Sequence, residues 1–331
     1  MPALGDWRNV LIDLTMILVA GSANLDFVVR AAHIPGPGET VLGHTFKTYP
    51  GGKGANQAVA SARAGGAQTH MLLALGDDAY ARPLEDSLQS AGVQLHVLRS
   101  AQEPTGTAFI CVSDDAENAI TVAPGANTLL AAEHLPPLQG YSHLLMQLET
   151  PLATVISYAR GARTAGVQVV LNAAPAQALP ADLLALTDIL IVNEGELAAI
   201  AASDAGIAAC LDKLKVPTVV VTLGARGCCA RVGNDYLLQN AFKVQPVDTT
   251  GAGDTFCGVL VAALDAGLDL PAALRQASAA GAMACMLPGA QSSIPAATAV
   301  AEMVRKHSPS LDTSALRNYC GLPAAATTVN P

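Results

Sequence analysis

Val247-Asp248-Thr249-Thr250-Gly251-Ala252-Gly253-Asp254-Thr255-Phe256 is the stretch on which the reading of this chain turns. It follows a strand-like run, residues 242–247, and leads straight into a strongly helical segment, residues 255–266. The glycines allow a sharp turn, backbone N–H groups gather at the helix start, and Asp254 stands in the first turn. Unpaired amides at the positive end of a helix dipole make an anion site. A carboxylate beside an anion needs a second task, and accepting a proton from a hydroxyl that attacks a phosphoryl group is one. Asp also suits a helix start through capping and the dipole alone, so taken by itself the stretch fits either role.

Outward from it, residues 140 onward alternate short apolar runs with helical ones. Residues 144–148, 168–171, 189–192 and 218–223 read as buried strands, and 151–165 and 194–202 as helices between them. That rhythm predicts a mostly parallel sheet covered on both faces, with ligands bound beyond the carboxyl ends of the strands. Upstream, residues 16–19 read as the first strand, and 25–30, 40–49, 107–113 and 119–122 as further strands. Residues 114–118 read as a hairpin loop. A small antiparallel sheet beside a parallel one predicts a lid that excludes water.

The chain has 331 residues, 51% hydrophobic and 14% charged, within reach of one large α/β domain. Its 18 Lys and Arg against 27 Asp and Glu leave a formal net charge of −9, and no basic cluster occurs. That argues against nucleic acid and anionic membrane as partners. Seven cysteines, Cys111, Cys210, Cys228, Cys229, Cys257, Cys285 and Cys320, show no metal-ligand spacing and read as reduced thiols of a cytoplasmic protein. The apolar run at residues 10–20 is too short for a membrane span, and Asp6 and Asp13 are misplaced for a signal peptide. Residues 1–15 read as an N-terminal extension, with Met16 as an alternative start, and 308–331 as a flexible tail.

Several constellations fall at predicted strand ends. Gly51-Gly52-Lys53-Gly54-Ala55-Asn56-Gln57 lacks the P-loop spacing; it is either a glycine turn or a loop offering Lys53 and Asn56 to hydroxyl groups. Asn24 and Asp26 alternate onto one face, which suits sugar hydroxyls or a polar turn. Glu149 faces the expected crevice or opens the next helix. Asn193 and Glu196 have capping-box spacing, and equally the donor types that organise a hydrated Mg²⁺ and phosphates. Thr222-Leu223-Gly224-Ala225-Arg226-Gly227 is a tight turn or the wall of a nucleotide groove.

In this order the pieces resemble the ribokinase family of sugar kinases over roughly residues 16–300, with Pro124-Gly125-Ala126-Asn127 and Met146-Gln147-Leu148-Glu149 as further matches. The resemblance implies a three-layer α/β/α domain at 16–305, with lid strands from about 25–50 and 105–125 that also form a homodimer contact. It implies ATP-dependent transfer to the 5-hydroxyl of D-ribose. Asp254 would then be the general base, and the amides of Gly251, Ala252, Gly253 and Asp254 the anion hole. Asn24, Asp26, Gly52, Lys53, Asn56 and Glu149 would bind the sugar. Asn193 and Glu196 would organise Mg·ATP, and Thr222, Gly224, Arg226, Gly227, Gly253 and Ser278 would line the nucleotide site. An activating K⁺ would sit at Asp248, Thr250, Ala284, Leu287, Gly289 and Ser293, several of them through backbone carbonyls. Ser278 departs from the family pattern, where His or Asn is frequent, which leaves nucleotide choice open. Asn24 favours ribose over deoxyribose, because an amide bonds a 2-hydroxyl. A kinase for deoxyribose, a nucleoside or fructose, and a sugar sensor without catalysis, are the alternatives.

Overall fold

Period-two alternation sorts the first strand, β1 (Met16–Ala20), between two cores: Ile17 and Val19 face one, Leu18 and Ala20 the other. The computed structural model describes residues 15–115, 117–308 and 312–323. Two buried faces on one strand require helices on both sides, and the chain supplies them. The remaining strands are β2 (Asn24–Ala31), β3 (Gly43–Gly51), β4 (Thr69–Gly76), β5 (Gln94–Ser100), β6 (Gly106–Ser113) and β7 (Asn118–Ala123), followed by β8 (Tyr141–Met146), β9 (Gln168–Asn172), β10 (Ile189–Asn193), β11 (Thr218–Thr222), β12 (Gly227–Val232) and β13 (Asp235–Asn240).

Nine strands form the central sheet in the order β13-β12-β11-β10-β9-β8-β1-β4-β5. From β5 to β11 every pairing is parallel, and β12 and β13 close one edge as an antiparallel hairpin. The lid sheet runs β3-β2-β6-β7. Its outer pairings are antiparallel as expected, while the central pair, β2 with β6, is parallel.

One face of the central sheet is covered by α1 (Lys53–Val59, continued by a π-turn at Ala60–Ala64), α2 (Ala81–Ser90) and a group whose buried residues join theirs. That group is α7 (Ala252–Asp265), α8 (Leu270–Ala284) and α9 (Ala297–Lys306). The other face carries α3 (Leu152–Thr164), α4 (Ala181–Leu186), α5 (Glu194–Ala201), α6 (Ile207–Lys213) and α10 (Ser314–Tyr319).

Three expectations change. Residues 242–247 form no strand: past β13 the chain leaves the sheet edge, Pro246 has no N–H to donate, and the Val247 amide donates to the Cys285 carbonyl after α8 rather than to a strand. The strand expected from residue 40 begins only at Gly43. Within the tail expected to be flexible, residues 314–319 are α10, and Leu316, Cys320 and Leu322 are buried in the second core. Leu316 within the helix and Cys320 and Leu322 just past it cover an apolar face, which composition alone hides. Of the N-terminal extension only Thr15 lies among the described residues; its hydroxyl donates to Asp265 at 2.7 Å. The cysteines are all unpaired, five of them buried.

Candidate active site

The first turn of α7 decides the geometry. Gly251 caps it with a left-handed φ of +73°, which suits a residue without Cβ. The Ala252 amide donates to the Thr249 carbonyl at 3.2 Å and the Thr255 amide to the Gly251 carbonyl at 2.8 Å. Of the four expected anion-hole amides, Ala252 is therefore engaged within the turn, whereas Gly253 and Asp254 have no backbone acceptor. A Cβ at Gly253 would meet open space, so an anion can approach.

The side chain of Asp254 reaches across to α1 rather than capping its own helix. Its carboxylate accepts from Asn56 Nδ2 and from Gln57 Nε2, both at 2.9 Å and both from α1. The two helices come this close because Gly258 lies at their crossing: a Cβ there would collide with the Gln57 carbonyl and stand 2.7 Å from Ala60 Cβ.

The expected sugar residues converge from four segments. Asn24 and Asp26 open β2, and both are buried. Asn24 Oδ1 accepts from Asn127 Nδ2 at 2.8 Å, which leaves its Nδ2 as the donor for a ligand. Glu149 follows β8; its Oε2 accepts from the Ser22 hydroxyl at 2.5 Å and the Lys53 amide at 3.1 Å. Gly52 caps α1 with φ +87°, and Asn56 is shared with Asp254.

Three carboxylates around one ammonium group set the electrostatics. Burial, then Glu149 and Asp254, push the Asp26 carboxyl up to about 7. Asp254 foremost, with Glu149 and Glu196, raises Lys53 against the opposing effect of its burial. Burial also raises Glu196. A site with negative charge in excess favours ligands that bring hydroxyl donors.

Behind the α7 turn lies a cleft of about 610 Å³ lined by Thr222, Gly224, Gly227, Gly253 and Ser278, all expected there, together with Phe242, Lys243 and Phe256. Lys243 is a cation that sequence reasoning passed over, because it falls in the run read as a strand. Arg226 does not line the cleft; its guanidinium lies 4.0 Å above the Tyr319 ring of α10. The Tyr319 hydroxyl donates to Glu194 Oε1 at 2.5 Å.

Asn193 and Glu196 form the reciprocal capping box of α5, each bond 2.8 Å. No cluster of three or more His, Cys, Asp or Glu suited to a metal occurs among the described residues. A Mg²⁺ here fits as an ion carried in on nucleotide phosphates and met by a carboxylate such as Glu196.

Asp248 ties two loops together, its oxygens accepting from the Thr250 and Gly289 amides at 2.9 Å each. Burial raises its carboxyl, but these donors prevail and hold it below the usual range. Ser293 is buried in the same loop and donates to the Ala290 carbonyl at 3.0 Å. Ala284 ends α8 and Leu287 is exposed beside it. A carboxylate with spare lone pairs between two loops offers the hard oxygen donors that a large, weakly hydrated cation takes.

Four polar residues were missed as site residues: Gln57, Gln147, Asn172 and Asn127. Each is buried and bonded to the site or to a site residue. The signal for Gln57 and Gln147 was an amide set inside an otherwise apolar run.

A doubly covered parallel sheet, a small lid sheet, and an anion-binding helix start with a buried carboxylate beside a cleft together define a class: the carbohydrate kinases of ribokinase-like fold. The chain belongs to the pfkB family of carbohydrate kinases, whose profile matches residues 14–297. It is 39% identical over 292 residues to a ribokinase of Haemophilus influenzae, covering 84% of this chain and 95% of that protein. The solved ribokinase of Thermotoga maritima superposes with a TM-score of 0.81 at 33% identity, over 88% of this chain and 99% of that one. The Arabidopsis thaliana ribokinase complexed with ribose and ATP superposes with a TM-score of 0.80 at 31% identity, over 89% and 99%.

Proposed function

We propose that this chain transfers the γ-phosphoryl group of ATP to the 5-hydroxyl of D-ribose, with Asp254 as general base. The observation that carries this is the Asp254 carboxylate, gripped by Asn56 and Gln57 beside the unengaged amides of Gly253 and Asp254. An Asp254 oxygen takes the hydroxyl proton as the sugar oxygen attacks the γ-phosphorus. The bond from that phosphorus to the bridging oxygen of ADP breaks, and the two amides receive the charge on the equatorial oxygens. Asn24, Asp26, Glu149 and the Lys53–Asn56 turn hold the sugar.

The relatives named as ribokinases, one of them complexed with ribose and ATP, support this substrate pair. Mg²⁺ would enter with ATP near Glu196 and neutralise phosphate charge. K⁺ would be held by Asp248 and the carbonyls of the two loops it joins, steadying the turn that carries the amides. The ATP requirement and seven unpaired thiols support a cytoplasmic setting. No helix among the described residues is long and apolar enough to cross a membrane.

The test is phosphorylation of D-ribose, 2-deoxyribose, fructose and adenosine by wild type and Asp254→Asn, with and without K⁺. Ribose should be the best acceptor, K⁺ should raise its turnover, and the substitution should lower kcat by about 10²-fold or more. Near-normal turnover by Asp254→Asn would sink the base assignment, and preference for another acceptor would reassign the sugar site.

A further inference from the structure

Behind Asp254 stands a chain of buried amides, Gln57, Gln147 and Asn172, joined to one another by side-chain hydrogen bonds. Gln57 has no exposed surface. Its Nε2 donates to Asp254 Oδ1 and to Asn172 Oδ1, each at 2.9 Å, so both hydrogens are used. Its Oε1 accepts from Gln147 Nε2 at 2.6 Å. Asn172 is anchored in turn, its Nδ2 donating to the Ile191 carbonyl of β10 at 3.2 Å.

This pattern leaves no freedom of assignment. Carboxylate Oδ1 accepts only, and Asn172 Oδ1 is an acceptor because its own nitrogen is spent on Ile191. Gln57 must therefore point its nitrogen at both, and its oxygen must meet the donor from Gln147. The Asp254 carboxylate is thereby held at both ends: Asn56 donates to Oδ2 and Gln57 to Oδ1, from consecutive residues of one helix turn.

Gln147 is held in the same arrangement. It is buried just past β8, and its Oε1 has no hydrogen-bond partner. A Cβ on Gly21 would collide with that oxygen. A buried acceptor without a donor is unfavourable, and an apolar side chain of the same length would avoid it. What Gln147 supplies in exchange is its Nε2, and that nitrogen goes to Gln57 alone.

We propose that Gln57, locked by Gln147 and Asn172, is the positioning residue that orients the Asp254 carboxylate for proton transfer, with Gln147 acting only through Gln57. This rests on Asp254 as general base. A base displaced by a fraction of an ångström loses rate without losing ground-state binding, so the effect falls on kcat.

The experiment compares wild type, Gln57→Met, Gln147→Met, the double variant and Asp254→Asn, with kcat, both KM values and thermal melting for each. Gln57→Met should lower kcat at least tenfold while KM for ribose and ATP stays within about threefold. Gln147→Met should lower kcat several-fold, and the double variant should be no slower than Gln57→Met. Folded Gln57→Met with kcat within twofold of wild type overturns the proposal, as do losses that multiply in the double variant. If Gln57→Met does not fold, Gln147→Met decides, since it leaves both Asp254 donors in place: unchanged kcat overturns the relay. An inactive Asp254→Asn beside a normal Gln57→Met refutes this inference alone, whereas an active Asp254→Asn refutes the base assignment beneath it.

Discussion

Asp26 is a site residue whose chemistry departs far from its free state. Its carboxyl stands at about 7 in the fold against an ordinary 3.8, because burial and two neighbouring carboxylates disfavour its charge. The folded chain therefore binds more protons than the unfolded chain between those values, so folding stability falls as pH rises from about 4 to about 7. At about 1.4 kcal/mol per pH unit, the contribution is on the order of 4 kcal/mol. Asp26→Asn should flatten that part of the profile and stabilise the sugar-free protein at pH 8. Denaturant unfolding of both proteins from pH 4 to 8 measures this, and parallel profiles would refute it. At Asn24 the oxygen is spent on Asn127, so the amide nitrogen is what remains for a hydroxyl. Replacing Asn24 by Ala should lower the preference for ribose over 2-deoxyribose at least tenfold in kcat/KM.

At the scale of elements, one contact sets the site and another closes the far core. The crossing of α1 and α7 depends on Gly258, where any side chain meets the Gln57 carbonyl and Ala60. Gly258→Val should cost about 1–3 kcal/mol by overpacking and also lower kcat, because Asn56 and Gln57 retreat from Asp254. Full activity in a folded Gly258→Val protein would show that the crossing does not set the base. The second contact is α10, which seals the far core with Leu316, Cys320 and Leu322 and lays Tyr319 under Arg226. Ending the chain at residue 308 exposes those apolar surfaces and should lower Tm by several degrees, read by calorimetry. An unchanged Tm would mean that the helix is not part of the folding unit. The strand signal at residues 242–247 failed for a comparable reason: an apolar run forms a strand only beside a partner with free N–H and C=O groups, and the loop has left the sheet edge there.

For the whole molecule, the lid sheet exposes large apolar side chains on both of its faces. Phe46 and Phe109 stack about Phe27 on one face, and Ile120 and Val122 lie on the other. We propose that isologous pairing of lid sheets covers this surface in a homodimer. Light scattering at micromolar concentration should give a dimer, and Phe109→Glu or Ile120→Glu should shift it to monomer. A monomeric wild-type protein would refute the lid contact.

The layered α/β class was legible in the sequence, as was the placing of the candidate site residues at strand ends, because periodicity and local turn chemistry are written in neighbouring residues. Asp254 at a glycine-rich helix start, Glu149 beyond its strand, and the capping box of Asn193 and Glu196 are of this kind. Only the tertiary structure decided which donor meets which acceptor. The bond from Gln57 to Asp254 spans 197 residues, and that from Gln147 to Gln57 spans 90. It also decided that Arg226 lies over Tyr319 and that Lys243 lines the cleft. A hydrogen bond is set by ångström-scale approach between distant segments, and that approach depends on how the helices pack, which periodicity along the chain does not encode.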